Sequence, residues 1–227
     1  SLVAAVAADD ATGAGARILA AVADEHPMLA LRVAYRREIL GVAARDLSGE
    51  ASLETTMAEL TELADAALQA CYELAVRDAG EDASLVDLAV IAMGKCGARE
   101  LNYISDVDVV FIAEPRTSQT PTEVAMKAGQ RIASRLMQIA NAATPEGSIW
   151  EVDAALRPEG KAGVLVRTVD SYVAYYRKWA KTWEFQALLK ARPVAGDLAL
   201  GREYAEMVAP LVWSAAEREG FVEDVQA

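Results

Sequence analysis

Ser105-Asp106-Val107-Asp108-Val109-Val110-Phe111-Ile112-Ala113 is the stretch on which the fold turns. From Val107 it is β-branched and apolar, with Pro115 just beyond, which reads as a buried strand. Asp106 and Asp108 interrupt that character at its start. They are two residues apart, so on a strand both side chains project from the same face. Two carboxylates held side by side in an apolar strand repel each other and are costly to desolvate. A hard divalent cation such as Mg²⁺ or Mn²⁺ removes both penalties, because oxygen ligands suit it.

Upstream, Leu85 to Met93 is a short apolar run stopped by Gly94, a second buried strand. Between the two strands lie a glycine-containing turn and a helix-like segment, Lys95 to Tyr103. Downstream, Pro121 to Ala140 reads as helix, Ile149 to Leu156 as a third strand, and Gly163 to Val166 as a short fourth. Residues 1–84 read as helix throughout. One helix is expected from His26-Pro27 to about Leu47, and a second from Ser52 to near Gly80, with apolar positions at steps of three and four. From Thr168 onward the pattern is helical in pieces, broken near Pro193 and Gly196. The expectation is therefore a helical flank over 1–84, an α/β core over 85–167 and a C-terminal helical segment over 168–227.

The third strand candidate contains Asp153. If it neighbours the Asp106–Asp108 strand, three carboxylates converge on one site able to serve an in-line displacement at phosphorus. Taken singly, each Asp reads as a turn, cap or edge residue; the three together point to a metal site. Gly94 and Gly97 would let backbone approach a phosphate, with the Ser105 hydroxyl and the Lys95 charge beside it, although an ordinary strand-to-helix turn explains the glycines nearly as well. The segment matches neither G-x-G-x-x-G nor the Walker A pattern. Arg157-Pro158-Glu159-Gly160-Lys161-Ala162-Gly163 forms a shaped loop after the third strand. Arg157 and Lys161 there are candidates to meet a nucleotide phosphate, against the plainer reading of a solvated turn. Trp179, Trp183 and Phe185 read as helix core, and His26 as structural.

The chain of 227 residues has 34 acidic and 22 basic side chains, a net charge of −12, with 53% hydrophobic residues. That apolar share excludes disorder for the whole chain, and the acidic balance excludes a general nucleic-acid binder. The surplus is uneven: residues 1–90 hold 16 acidic against 6 basic side chains, whereas 151–192 hold 8 basic against 5 acidic. A single His excludes sites built on several imidazoles, which leaves carboxylates as metal ligands. Cys71 and Cys96 form no CxxC pair and suggest neither disulfide nor zinc ribbon, and Cys96 has no partner for a thiolate relay. No apolar run reaches the roughly 20 residues that span a bilayer. The expectation is a reduced, cytoplasmic protein without a membrane segment, and the uncapped ends read as those of an excised piece of a longer protein.

Three ordered blocks resemble the glutamine synthetase adenylyltransferase family. The first runs from Gly94 to Asp108. The second is Val152-Asp153-Ala154-Ala155-Leu156-Arg157-Pro158-Glu159-Gly160-Lys161-Ala162-Gly163, and the third is Thr182-Trp183-Glu184-Phe185-Gln186-Ala187-Leu188-Leu189-Lys190-Ala191-Arg192. The resemblance implies an α+β fold: a DNA polymerase β-like nucleotidyltransferase core, a small mixed sheet, with helical flanks before and after. In that superfamily a Gly-Ser turn precedes an Asp-x-Asp strand and a third Asp comes from a neighbouring strand; here these are Ser105, Asp106, Asp108 and Asp153. The Gly-Ser pair is split, Gly97 and Ser105 being separated by a longer insert. The family implies Mg²⁺ or Mn²⁺ as cofactor, glutamine synthetase as protein substrate, adenine nucleotide and phosphate as small partners, and the PII signal protein as a further partner. It also implies two alternative activities. One half removes AMP from a glutamine synthetase tyrosine by phosphorolysis, giving ADP; the other attaches AMP from ATP. Glu100-Leu101-Asn102-Tyr103 resembles the removing half, since the other tends to have Gly in place of Asn102. A reading of another class is a regulatory module that binds nucleotide or PII protein without turnover.

Overall fold

The computed structural model describes residues 13–215 and Glu217. Residues 1–12 of the expected helical flank, and 216 and 218–227 of the expected C-terminal helical segment, lie outside them. Three helices open the described chain: α1 (Ala14–Ala20), α2 (Pro27–Ser48) and α3 (Leu53–Ala79). Pro27 starts α2, where a missing N–H costs nothing, and Gly49 ends it at φ 74°. Ser52 caps α3, its hydroxyl accepting the Thr55 N–H at 3.2 Å. Both helices fall where the apolar spacing places them.

A five-stranded sheet follows, with β1 (Val86–Ala92), β2 (Val107–Pro115), β3 (Val152–Asp153), β4 (Val166–Arg167) and β5 (Arg192–Gly196). Its path is β3-β2-β1-β5, with β4 also on β2. β1 is antiparallel to β2 and to β5, while β3 and β4 run parallel to β2. Helices α4 (Gly94–Ala98) and α5 (Thr122–Asn141) are threaded between strands. Three more, α6 (Val169–Lys178), α7 (Thr182–Leu188) and α8 (Leu198–Ala215), complete the described chain.

Both faces of β1 and β2 are covered, which is why they read as continuous apolar runs rather than alternating ones. Leu88, Val90, Val109 and Phe111 pack with the α1, α2, α3 and α5 layer. Ala89, Ile91, Val110 and Ile112 pack with Tyr172, Tyr176, Phe185 and Tyr204 from α6 to α8. The architecture is α+β, a small mixed sheet flanked by helices, as the resemblance implies. Among the described residues no helix is long and apolar enough to cross a membrane.

Four local expectations are corrected. The helix-like segment to Tyr103 stops at Ala98, because Arg99 turns left-handed at φ 62°. The third strand shrinks to Val152–Asp153, because the Asp153 carboxylate takes the Ala155 N–H at 2.8 Å and bends the chain away. The fourth begins only at Val166, Gly163 being held in a turn by its N–H to Gly160 O at 3.1 Å. The break near Pro193 and Gly196 is β5 itself, so the sheet draws a strand from beyond residue 167. Proline is tolerated there because β5 is an edge strand with a register shift opposite Val90 and Ile91. Trp179 and Trp183 also depart from the core reading, at 65% and 47% exposed, whereas Phe185 is 1% exposed.

Candidate active site

The parallel pairing of β2 with β3 sets Val107 opposite Val152 and Asp108 opposite Asp153. Alternation along β2 turns Val107 and Val109 to the α2–α3–α5 side and Asp108 to the other. Asp106 immediately precedes the strand. The three carboxylates that the sequence singles out thus come together at one end of the sheet. Asp108 records the crowding: its carboxyl is pushed above the usual range, first by burial, then by the charges of Asp106 and Asp153, with Lys95 pulling the other way.

The turn after β1 is built around that carboxylate. Met93 N–H donates to Asp108 O at 2.9 Å. Gly94 follows at φ 52°, and a Cβ there would lie 2.5 Å from Asp108 Oδ2. Gly94 is therefore glycine for two reasons, its backbone angle and the Asp108 side chain laid against it. Gly97 has a different cause, since a Cβ there would collide with the backbone oxygens of Lys190 and Ala92. Its smoothness admits the protein's own chain. Ser105 is buried, with Lys95 Nζ donating to its hydroxyl at 3.5 Å and the Asn102 N–H at 3.4 Å.

The two loop cations separate. Lys161 Nζ stands 3.5 Å from Asp153 Oδ2 with most of its side chain in solvent. Arg157 turns inward and closes its own loop, donating to Ala154 O at 2.6 Å, Lys161 O at 3.0 Å and Gly163 O at 3.1 Å. It shapes the loop that presents Lys161.

Two supports of the site escaped the sequence reading. Arg192 on β5 pairs with both oxygens of Asp65 on α3, at 2.7 and 3.0 Å, and donates to Cys96 O at 2.9 Å and Gly97 O at 3.2 Å. The helical turn carrying Lys95 is thereby fastened to α3. Arg192 closes the third block of the resemblance, which was the one available signal. Asn141, the last residue of α5, hydrogen-bonds twice to the Val152 backbone, and nothing in the sequence marks it.

The donor set suits a hard divalent cation, being all carboxylate, with no imidazole or thiolate of its own. Among the described residues no group of three or more Asp, Glu, His or Cys side chains is placed as it would have to be to hold a metal ion. The fit lies in the donors' chemistry and in the like-charge crowding at Asp108 that a cation relieves.

Residues 4–207 match the model of a family described as glutamate-ammonia ligase adenylyltransferase. Among curated proteins, the chain is 58% identical over 198 residues to the bifunctional glutamine synthetase adenylyltransferase/adenylyl-removing enzyme of Streptomyces avermitilis, covering 87% of this chain and 20% of that protein. The protein of the same name from Cutibacterium acnes is 52% identical over 200 residues, again 87% of this chain and 20% of the relative. That from Nocardia farcinica is 50% identical over 214 residues, 91% of this chain and 20% of the relative. The chain thus spans about a fifth of the length of these relatives. With a family match over residues 4–207 and relatives 50–58% identical over most of its length, this chain belongs to the glutamate-ammonia ligase adenylyltransferase family.

Proposed function

We propose that this chain carries the adenylyl-removing reaction: adenylyl-tyrosine on glutamine synthetase plus inorganic phosphate gives tyrosine and ADP. The observation that carries the reading is the strand register that sets Asp108 beside Asp153, with the charge of Asp106 acting on the same carboxyl. The likeness of Glu100-Leu101-Asn102-Tyr103 to the removing half supports the direction. In the reaction a phosphate oxygen forms a bond to the AMP phosphorus while the bond from that phosphorus to the tyrosine oxygen breaks. The tyrosinate then takes a proton from solvent.

Asp106, Asp108 and Asp153 would hold Mg²⁺ or Mn²⁺. A cation held there would supply positive charge where the oxygens around the AMP phosphorus gather negative charge. The chain's own residues do the rest. Lys161 places a solvent-facing ammonium beside Asp153, within reach of an entering anion. Lys95 and Ser105 hold the floor of the turn before β2, and Gly94 leaves room for the Asp108 carboxylate laid against it. No protein base is required, because phosphate enters already anionic.

The same carboxylates would serve transfer of AMP from ATP, since the displacement differs only in its entering and leaving groups. Two parallel incubations separate the directions. One contains adenylylated glutamine synthetase and phosphate, the other unmodified synthetase and ATP. ADP from the first and no pyrophosphate from the second is the expected result; pyrophosphate from the second alone overturns it.

A further inference from the structure

Strand β3 is two residues long and is paired on one side only. On the β2 side, Val107 N–H donates to Glu151 O at 2.8 Å. Strand geometry turns the N–H and C=O of Val152 to the opposite side, where no strand of the described residues lies. Val152 is 3% exposed, and its N–H and C=O on that side need a partner.

The Asn141 carboxamide fills that place. Val152 N–H donates to Asn141 Oδ1 at 2.8 Å, and Asn141 Nδ2 donates to Val152 O at 3.2 Å. A carboxamide carries a donor and an acceptor in one plane, as a peptide unit does, so one side chain supplies what a neighbouring strand would. Asn141 is itself well anchored. Arg32, 0% exposed, donates through Nη2 to Ile139 O and Ala142 O, both at 2.7 Å, on either side of it. The residue after Val152 is Asp153. A strand this short has little persistence of its own, so the placement of Asp153 against Asp108 depends on what holds Val152.

We propose that Asn141 is a positioning residue for Asp153: its paired hydrogen bonds to Val152 keep the third carboxylate in register with Asp108, and so set the affinity of the site for a divalent cation. The proposal rests on the reading of Asp106, Asp108 and Asp153 as cation ligands. Groups that orient metal ligands from behind commonly change affinity by about 10- to 100-fold when removed.

The test uses the full chain and Mn²⁺ alone, titrated by electron paramagnetic resonance, with amide hydrogen exchange at Val152 as a second readout. Asn141→Ala is expected to weaken Mn²⁺ binding by about tenfold or more and to speed Val152 exchange, with unfolding still cooperative. Asn141→Asp keeps an acceptor for the Val152 N–H and is expected to restore much of its protection and part of the affinity. Should Asn141→Ala fail to fold, Asn141→Asp and Asn141→Ser carry the comparison. Arg116→Ala removes a pair with Asp87 at the far end of β1 and β2 and is expected to leave Mn²⁺ binding unchanged. Wild-type affinity in a folded Asn141→Ala or Asn141→Ser, or an equal loss in Arg116→Ala, overturns the proposal. If Asp153→Asn weakens binding and the Asn141 variants do not, the positioning role alone fails. If the wild type binds no Mn²⁺, or Asp153→Asn binds as well as wild type, the cation-site reading fails and takes this proposal with it.

Discussion

The α-carbon of Gly94 lies against the Asp108 carboxylate, so close that a methyl group there would sit 2.5 Å from Oδ2. Gly94→Ala therefore meets two penalties, a left-handed backbone angle and a displaced carboxylate. The angle alone costs about 1–2 kcal/mol. Gly49 is a built-in control, left-handed at φ 74° and ψ 19° with nothing within 4 Å of the place a methyl group would take. Thermal unfolding is expected to show a modest loss in Gly49→Ala with activity intact. Gly94→Ala should lose transfer activity far beyond its loss of stability. Equal activity in the two variants would show that the carboxylate tolerates the displacement.

Asp106→Asn, Asp108→Asn and Asp153→Asn are each expected to lower the transfer rate about a thousandfold, the equivalent of ~4 kcal/mol of transition-state stabilisation. Stability should not fall with it. Burial first, and then the charges of Asp106 and Asp153, raise the Asp108 pKa, so neutralising it relieves a desolvated charge and a repulsion. Phosphorolysis rates and melting temperatures, measured on the same preparations, check both halves of the expectation. Retained turnover in Asp108→Asn and Asp153→Asn would displace the chemistry from this end of the sheet.

The two thiols give a pH-dependent signature. Burial is the leading cause that pushes Cys71 and Cys96 up to about 12. Because the folded-state values are raised, the stability linked to these thiols is complete below the unfolded value of about 8.5 and is lost as pH rises toward the folded one. Stability should thus decline from pH 9 to 11 more steeply in the wild type than in Cys71→Ala/Cys96→Ala. A disulfide exchange reagent at pH 8 is expected to leave both thiols untouched until denaturant is added. Rapid reaction in the native protein would contradict their burial.

Trp179 and Trp183 are exposed and Phe185 is buried, although all three sit within seven residues. Trp179→Ala and Trp183→Ala are expected to change stability by less than about 1 kcal/mol, and Phe185→Ala by about 3–5 kcal/mol. Denaturant midpoints at constant slope would measure this. A large loss in either Trp variant would mean that the indole is covered in solution.

The pattern of these sites explains what the amino-acid order could and could not convey. β1 and β2 were legible because both faces are buried and their residues are uniformly apolar. Asp106 and Asp108 were legible because a spacing of two means one face of a strand. Asp153 was legible as the third carboxylate only on the condition that its strand neighbours β2, a condition the resemblance supplied, because a parallel register between segments far apart in the chain leaves no local mark. β3 was overread because Asp153 takes the Ala155 N–H and bends the chain after two residues, while a side chain, Asn141, stands where a further strand would pair. β5 was missed because Pro193 and Gly196 are ordinary helix stops, and only an edge position lets them into a sheet. Arg157 looked like an anion receptor, yet its three backbone acceptors lie within six residues of it, a closure no composition rule reveals.

Arg32 has a consequence for how this molecule can be divided. Its guanidinium, rooted in α2, is the donor to carbonyls at Met28, Ile139, Ala142 and Gly147. A cut at residue 84 would leave the last three without it in the sheet-bearing piece, and a cut at 167 would strip β1 of its β5 neighbour. The seam suggested by the change from helical to strand-like sequence is thus no seam for the scissors. Shorter versions made for crystallisation or screening should keep both flanks, because the carboxylate end of the sheet borrows its rigidity from each.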